Sequence, residues 1–167
     1  EIPLLTPDAV DDFIGRAVSL NVDLAYPIVP KSRCESLYPG LKRTYVKTAD
    51  GTFTGGNIML LSPSFVAGNY DAIARVYAAR KQVFKLARMI GIGVLARVII
   101  AQAVPRAIGI SALERAAGRM LNADIAAVIS DYPEIGEDVD KLADLEAVRR
   151  ILAREPSNHQ TIRPSNP

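Results

Sequence analysis

An α/β layered domain with a mixed sheet is the fold class that the sequence predicts. Two observations carry that expectation. Segments with strand character and segments with helical periodicity succeed one another in the order strand end, helix, three strands, several helices, strand, helix. The strand segments are also of two kinds, one alternating and one almost wholly apolar, as in a sheet whose strands differ in how they are covered. The chain has 167 residues, the length of one domain. That domain is expected to span residues 1–154, with a disordered polar tail over 155–167.

Ile2, Leu4 and Leu5 resemble the end of a buried strand. Thr6 and Pro7 then open a helix, as a cap and a first-turn proline. Val10, Phe13, Ile14, Ala17 and Val18 form its apolar face. "DLAYPIVP", residues 23–30, has strand character, and its two prolines predict an edge strand or a strand end. Residues 31–40 read as a loop with a short helix. Thr44 to Lys47 alternate, Ala49, Asp50 and Gly51 mark a turn, and residues 57–61 read as a strand covered on both faces.

Pro63 or Ser64 starts a helical stretch, and from Asn69 to about Met120 the pattern is almost wholly helical, broken at Gly91, Gly93 and Pro105. "SALE", Ser111 to Glu114, matches a capping box, which places a helix start there. Residues 123–130 read as a strand, "DYPEIGEDVD" as a carboxylate-rich loop, and residues 142–154 as a helix with Leu145, Val148, Ile151 and Leu152 on one face.

Composition removes several function classes. A net charge of +2 lacks the basic footprint of a nucleic-acid binder, so no nucleic-acid partner is expected. One cysteine excludes an internal disulfide and every Cys-rich zinc site. The single histidine, His159, lies in the polar tail. Residues 86–110 are the most hydrophobic region, but Arg88, Arg97 and Arg106 interrupt it, too often for a span of about 20 apolar residues. Buried or half-buried helices are the reading, with no membrane partner; a helix lying on a membrane surface is the alternative. No secretory signal opens the chain, and a cytoplasmic location is expected.

The residues with chemical potential stand where strands give way to helices, the edge at which open α/β sheets bind ligands. Glu1 precedes "IPLLTP", and Glu134, Glu137, Asp138 and Asp140 precede the last helix. Carboxylates from two such edges, together with substrate phosphates, suit a magnesium ion; the plainer account is that acids before a helix complement its dipole. "TGGN", Thr54 to Asn57, either lets backbone approach a ligand or makes a bulge before a strand. Lys31, Arg33, Lys42, Arg43 and Lys47 either receive phosphate or form a solvated face. Lys81, Lys85 and Arg88 share a helical face that is expected to be solvated. Cys34 has no activating neighbour in sequence.

"EIPLLTP" resembles the "DxPLLTP" segment of MobA-like nucleotidyltransferases, relatives of molybdenum-cofactor guanylyltransferase. "TFTGGNIMLLSP" and "IGEDVDKLADLEAVRRIL" are similar to a mid-chain and a closing segment of a subgroup of that family. The resemblance implies a three-layer, Rossmann-like nucleotidyltransferase fold with a mixed sheet and a helical insertion around residues 69–120. It implies transfer of a nucleoside monophosphate from an NTP to a small phosphorylated acceptor, with Mg²⁺ as cofactor and pyrophosphate released. The family's metal carboxylates fall on Glu1, a departure from its Asp, and on Asp140, with Asp138 as a further candidate. Thr54, Gly55, Gly56 and Asn57, flanked by Lys42, Arg43 and Lys47, correspond to the acceptor side.

The family's N-terminal "LAGGxGxR" loop and its following lysine do not occur in this sequence. The fold is therefore expected to be incomplete at its N-terminus. An exposed sheet edge is expected there, through which homo-oligomers would form. The alternative reading is a non-catalytic ligand- or partner-binding domain of the same fold, or an inactive fragment of the enzyme.

Overall fold

The computed structural model describes residues 2–79, 92–104, 107–139 and 141–154. Helix α1, Pro7–Ser19, begins as its sequence dictates: Thr6 Oγ1 accepts a hydrogen bond from Ala9 N at 3.3 Å, and Pro7 occupies the first turn. Its inward face is Ala9, Phe13 and Ala17, all buried. Ile14 and Val18, expected on that face, are exposed. The small alanines let the helix lie close to the sheet, so the contact stripe is narrower than the run of apolar residues. Residues 2–5 form a turn, with Leu5 N donating to Ile2 O at 3.3 Å, instead of the expected strand end.

The sheet is mixed and centres on β1, Leu24–Pro30. On one side β1 pairs in parallel with β5, Ile125–Ile129. On the other side it is shared by two antiparallel partners. These are β3, Gly51–Gly55, along its C-terminal half, and β4, Leu60–Leu61, along its N-terminal half. Strand β2, Val46–Thr48, extends the sheet beyond β3.

The expectation that residues 23–30 form an edge strand or a strand end is thus corrected: β1 is central. The positions of the prolines explain why. Leu24 N donates to Asp124 O and Ile28 O accepts from Ser130 N, so the even-numbered residues of β1 face β5. Pro27 faces the other way, into the interval between β3 and β4, where its missing N–H leaves no ladder bond unmade. Its carbonyl accepts from Gly56 N at 2.9 Å.

Residues 57–61 were expected to be strand throughout, but only Leu60 and Leu61 pair. The backbone of Asn57 is drawn out of the ladder, its N–H donating to Ile135 O at 3.0 Å.

Helices lie on both faces of the sheet, which makes three layers. Ala25, Val29 and Val128 pack under α1 with Cys34 from α2, Lys31–Leu37, and with Ile135. The opposite strand faces, including Tyr26, Ile28, Phe53 and Ala127, line an apolar cavity of about 280 Å³ under α6, Ile110–Leu121. Between α2 and α6 in the sequence come α3, Pro63–Gly68, capped by Ser62, then α4, Tyr70–Ala79, and α5, Ile92–Ala101, which packs against β2. A buried 3-10 turn, Pro133–Gly136, follows β5, and α7, Leu142–Arg154, closes the described chain. This mixed α/β architecture is Rossmann-like.

The expected capping box at Ser111 is not formed. The N-cap of helix α6 is Gly109, two residues earlier, and the helix's first N–H, that of Ile110, donates to Asp50 Oδ2 at 2.7 Å. Glu114 turns instead to the sheet, its Oε1 accepting from Ala127 N at 2.8 Å. Among the described residues β5 pairs with β1 alone, so this carboxylate occupies the outer edge of β5. Several expectations lie outside the described residues: the metal candidates Glu1 and Asp140, the helical face of Lys81, Lys85 and Arg88, the breaks at Gly91 and Pro105, and the 155–167 tail.

Candidate functional site

A polar cavity of about 560 Å³ opens where three separated segments meet. The loop before β2 supplies Lys42, Arg43 and Thr44. The end of β3 and the residues after it supply Thr54, Gly55 and Asn57. The segment from the 3-10 turn into α7 supplies Gly136, Glu137, Asp138, Lys141 and Asp144.

The wall is built from a few long-range bonds. Tyr26 on β1 donates its hydroxyl to Gly56 O at 2.6 Å. Asn57 holds the 3-10 turn twice, its N–H on Ile135 O and its Nδ2 on Gly136 O at 2.9 Å. Arg43 reaches the same carbonyl with Nη2, lies 3.7 Å from Cys34 Sγ with Nη1, and brings Nε to 3.2 Å from Glu137 Oε1. The side chains of Arg43 and Glu137 are each 7% exposed. Nε and Oε1 stand at ion-pair distance without hydrogen-bond alignment, so Oε1 has no hydrogen-bond partner. Burial pushes the Glu137 carboxyl above its ordinary range; Arg43 pulls the other way, and Asp138 and Asp144 add to the rise.

The glycines of "TGGN" have a packing reason. A Cβ on Gly55 would overlap the Tyr26 hydroxyl, and one on Gly56 would lie 2.5 Å from Ile135 Cγ2 and 2.8 Å from Pro27 Cγ. Gly136 is as confined, with Arg43 and the Gly55 carbonyl in the space a side chain would need.

The structure therefore gathers Lys42, Arg43, Thr54, Gly55, Asn57 and Asp138 around one cavity. Gly56 lies behind its wall. Lys47 points elsewhere, its Nζ donating to Gln102 O at 2.9 Å beside α5. Arg43 and Asn57 use their polar groups on the 135–137 turn, whereas Lys42 and Lys141 are exposed cations at the cavity. Asp144 Oδ2 accepts from Lys141 N at 2.9 Å, a capping contact that fixes the start of α7.

The sequence alone assigns no site role to Tyr26, Lys141, Asp144 or the Arg43–Glu137 pair. The spacing "DKLAD" was the one local signal, since an Asp three residues into a helix start marks a cap. Nothing local marks Tyr26.

Glu134, another acid of the 134–140 group, accepts from Thr6 Oγ1 at 3.0 Å and is buried. That bond joins Thr6, at the start of α1, to the 3-10 turn after β5. Asp138 is exposed at the cavity. Among the described residues no group of three or more His, Cys, Asp or Glu forms a metal cage. Magnesium needs only one or two carboxylates beside substrate phosphates, and among the described residues that line the cavity Asp138 is the exposed carboxylate.

No protein-family model matches the chain, and no curated protein does. Among solved structures the chain is similar to a hypothetical transferase from Thermus thermophilus, with 38% identity and a TM-score of 0.77 over 87% of this chain. The chain spans 60% of that protein's length.

Proposed function

We propose that this chain is a magnesium-dependent nucleotidyltransferase of the MobA-like type, with this cavity as its acceptor side. The observation that supports it most is the cavity itself. Segments around residues 42–44, 54–57 and 136–141, far apart in sequence, meet at the sheet margin as a site with exposed cations and one exposed carboxylate. The likeness to a hypothetical transferase favours the same class.

In this reading Lys42 and Lys141 hold the acceptor phosphate by charge-assisted hydrogen bonds, and Thr44 stands beside them. Asp138 is the described residue that would hold magnesium. When bound, that ion neutralises charge on the triphosphate and aligns the attacking and leaving oxygens. An acceptor phosphate oxygen bonds to the α-phosphorus of the NTP. The bond from that phosphorus to its bridging oxygen breaks, and pyrophosphate leaves. Arg43, Asn57 and Tyr26 act by positioning the turn that carries Asp138.

The test is pyrophosphate release from a panel of NTPs with phosphorylated acceptors. The reading predicts release that requires both substrates and Mg²⁺ and that falls in Asp138→Asn. A chain that binds phosphorylated acceptors through Lys42 and Lys141, yet releases no pyrophosphate from any pair, would instead be a ligand-binding domain of the same fold. The pairing of Arg43 and Asn57 with the protein itself, which leaves two lysines to meet ligand, is the observation that favours this second reading.

A further inference from the structure

Helix α5 is apolar on the side where a surface helix of a soluble domain carries its polar residues. Val94, Val98 and Ala101 follow at spacings of four and three, and Ala101 is fully buried. This is the face set against β2. The opposite side carries Ala96, Ile99 and Ile100, continued past the helix end by Ala103 and Val104. Ile99, Ile100 and Val104 are 63%, 53% and 54% exposed. A helix that is apolar all round is normally enclosed by protein or lipid. Contiguous exposed apolar surface marks an interaction site.

Charge indicates what covers it. Between Asp71 and Glu114 the sequence contains seven Lys or Arg and no acidic residue, while all eighteen acidic residues lie outside that interval. Arg97 is exposed on the flank of α5 itself. A second copy would bring the same acid-free stretch of sequence and so offers it no opposite charge. An anionic lipid surface complements both properties, taking apolar side chains below its headgroups and basic ones among them. At ten residues α5 is about 15 Å long, half a bilayer core. Among the described residues no helix is long and apolar enough to cross a membrane.

We propose that α5 docks this protein on the surface of an anionic lipid bilayer, lying in the interface with Ile99, Ile100 and Val104 inserted. This departs from the expectation of no membrane partner drawn from the arginine spacing. That spacing excludes a span, and Arg97, exposed on the flank of α5, suits a helix that lies flat. The inference is independent of the nucleotidyltransferase reading, since its test reads binding alone.

The experiment is flotation of the full chain with vesicles of phosphatidylcholine alone and of phosphatidylcholine with phosphatidylglycerol. The protein is expected to float with the anionic vesicles, less so in high salt, and little with the neutral ones. Ile99→Glu combined with Ile100→Glu is expected to lower the partition coefficient at least about tenfold, with circular dichroism and thermal midpoint unchanged.

A second measurement does not depend on that variant. A fluorophore at Ala96→Cys is expected to shift to the blue on anionic vesicles, while one at Asp11→Cys on α1 stays unshifted. No flotation with anionic vesicles overturns the proposal. So does flotation undiminished by the double substitution, or a wild-type oligomer that the substitution dissociates.

Discussion

Arg43 and Glu137 form an ion pair across the molecule, Nε standing 3.2 Å from Oε1, with both side chains almost fully removed from water. The pair ties the loop before β2 to the turn after β5, and so sets the width of the cavity between them. Its value lies in position more than in net energy, because desolvating two charges offsets much of their attraction.

Removing one partner is a different matter, since the other charge stays buried. Arg43→Met is expected to cost about 3–5 kcal/mol in urea unfolding. Arg43→Met with Glu137→Leu is expected to cost clearly less than the two single substitutions added together, which a double-mutant cycle measures.

Glu137 also gives stability a pH dependence. Its folded-state pKa is raised, chiefly by burial. The folded protein therefore binds the proton more tightly than the unfolded chain. The contribution of this group is fully present below the ordinary carboxylate pKa. It is lost as pH rises through the raised folded value. Urea midpoints of wild type and Glu137→Gln compared across that window are expected to show the wild type losing ground to the variant as pH rises.

The start of α6 separates a local expectation from a long-range fact. Asp50→Ala removes the carboxylate that receives Ile110 N and is expected to cost about 0.5–2 kcal/mol. Ser111→Ala removes the residue that the sequence marked as the cap and is expected to change stability by less than about 0.5 kcal/mol. Equal losses in chemical denaturation would contradict this assignment.

That contrast describes what was legible in the sequence and why. Elements set by neighbours in the chain were readable: Thr6 and Pro7 at the start of α1, Pro63 at the start of α3, and residues 142–154 as α7. Departures occur where a distant group intervenes. Asp50 displaces the Ser111 cap, Ile135 pulls Asn57 from its strand, and the interval between β3 and β4 lets Pro27 sit in a central strand. The site divides the same way. Its segments were identifiable, but the roles of their members depend on partners far away. Arg43 looked like a phosphate ligand and is held by Glu137, Gly136 and Cys34, while the glycines of "TGGN" answer to Tyr26, Pro27 and Ile135.

Lys42 and Lys141 remain as the exposed cations of the cavity. Lys42→Ala and Lys141→Ala are each expected to weaken binding of a sugar phosphate by about tenfold or more in calorimetry, since a hydrogen bond to a charged group contributes about 1.5–3 kcal/mol. Lys47→Ala, whose ammonium lies on Gln102, is expected to leave that affinity unchanged.

The measurement closest to the central claim is paramagnetic broadening of amide resonances by Mn²⁺, standing in for Mg²⁺, with inorganic pyrophosphate present. The account predicts broadening centred on Asp138 that includes Gly136, Glu137 and Asn57 and weakens in Asp138→Asn. Broadening centred elsewhere, or undiminished by that substitution, would contradict it.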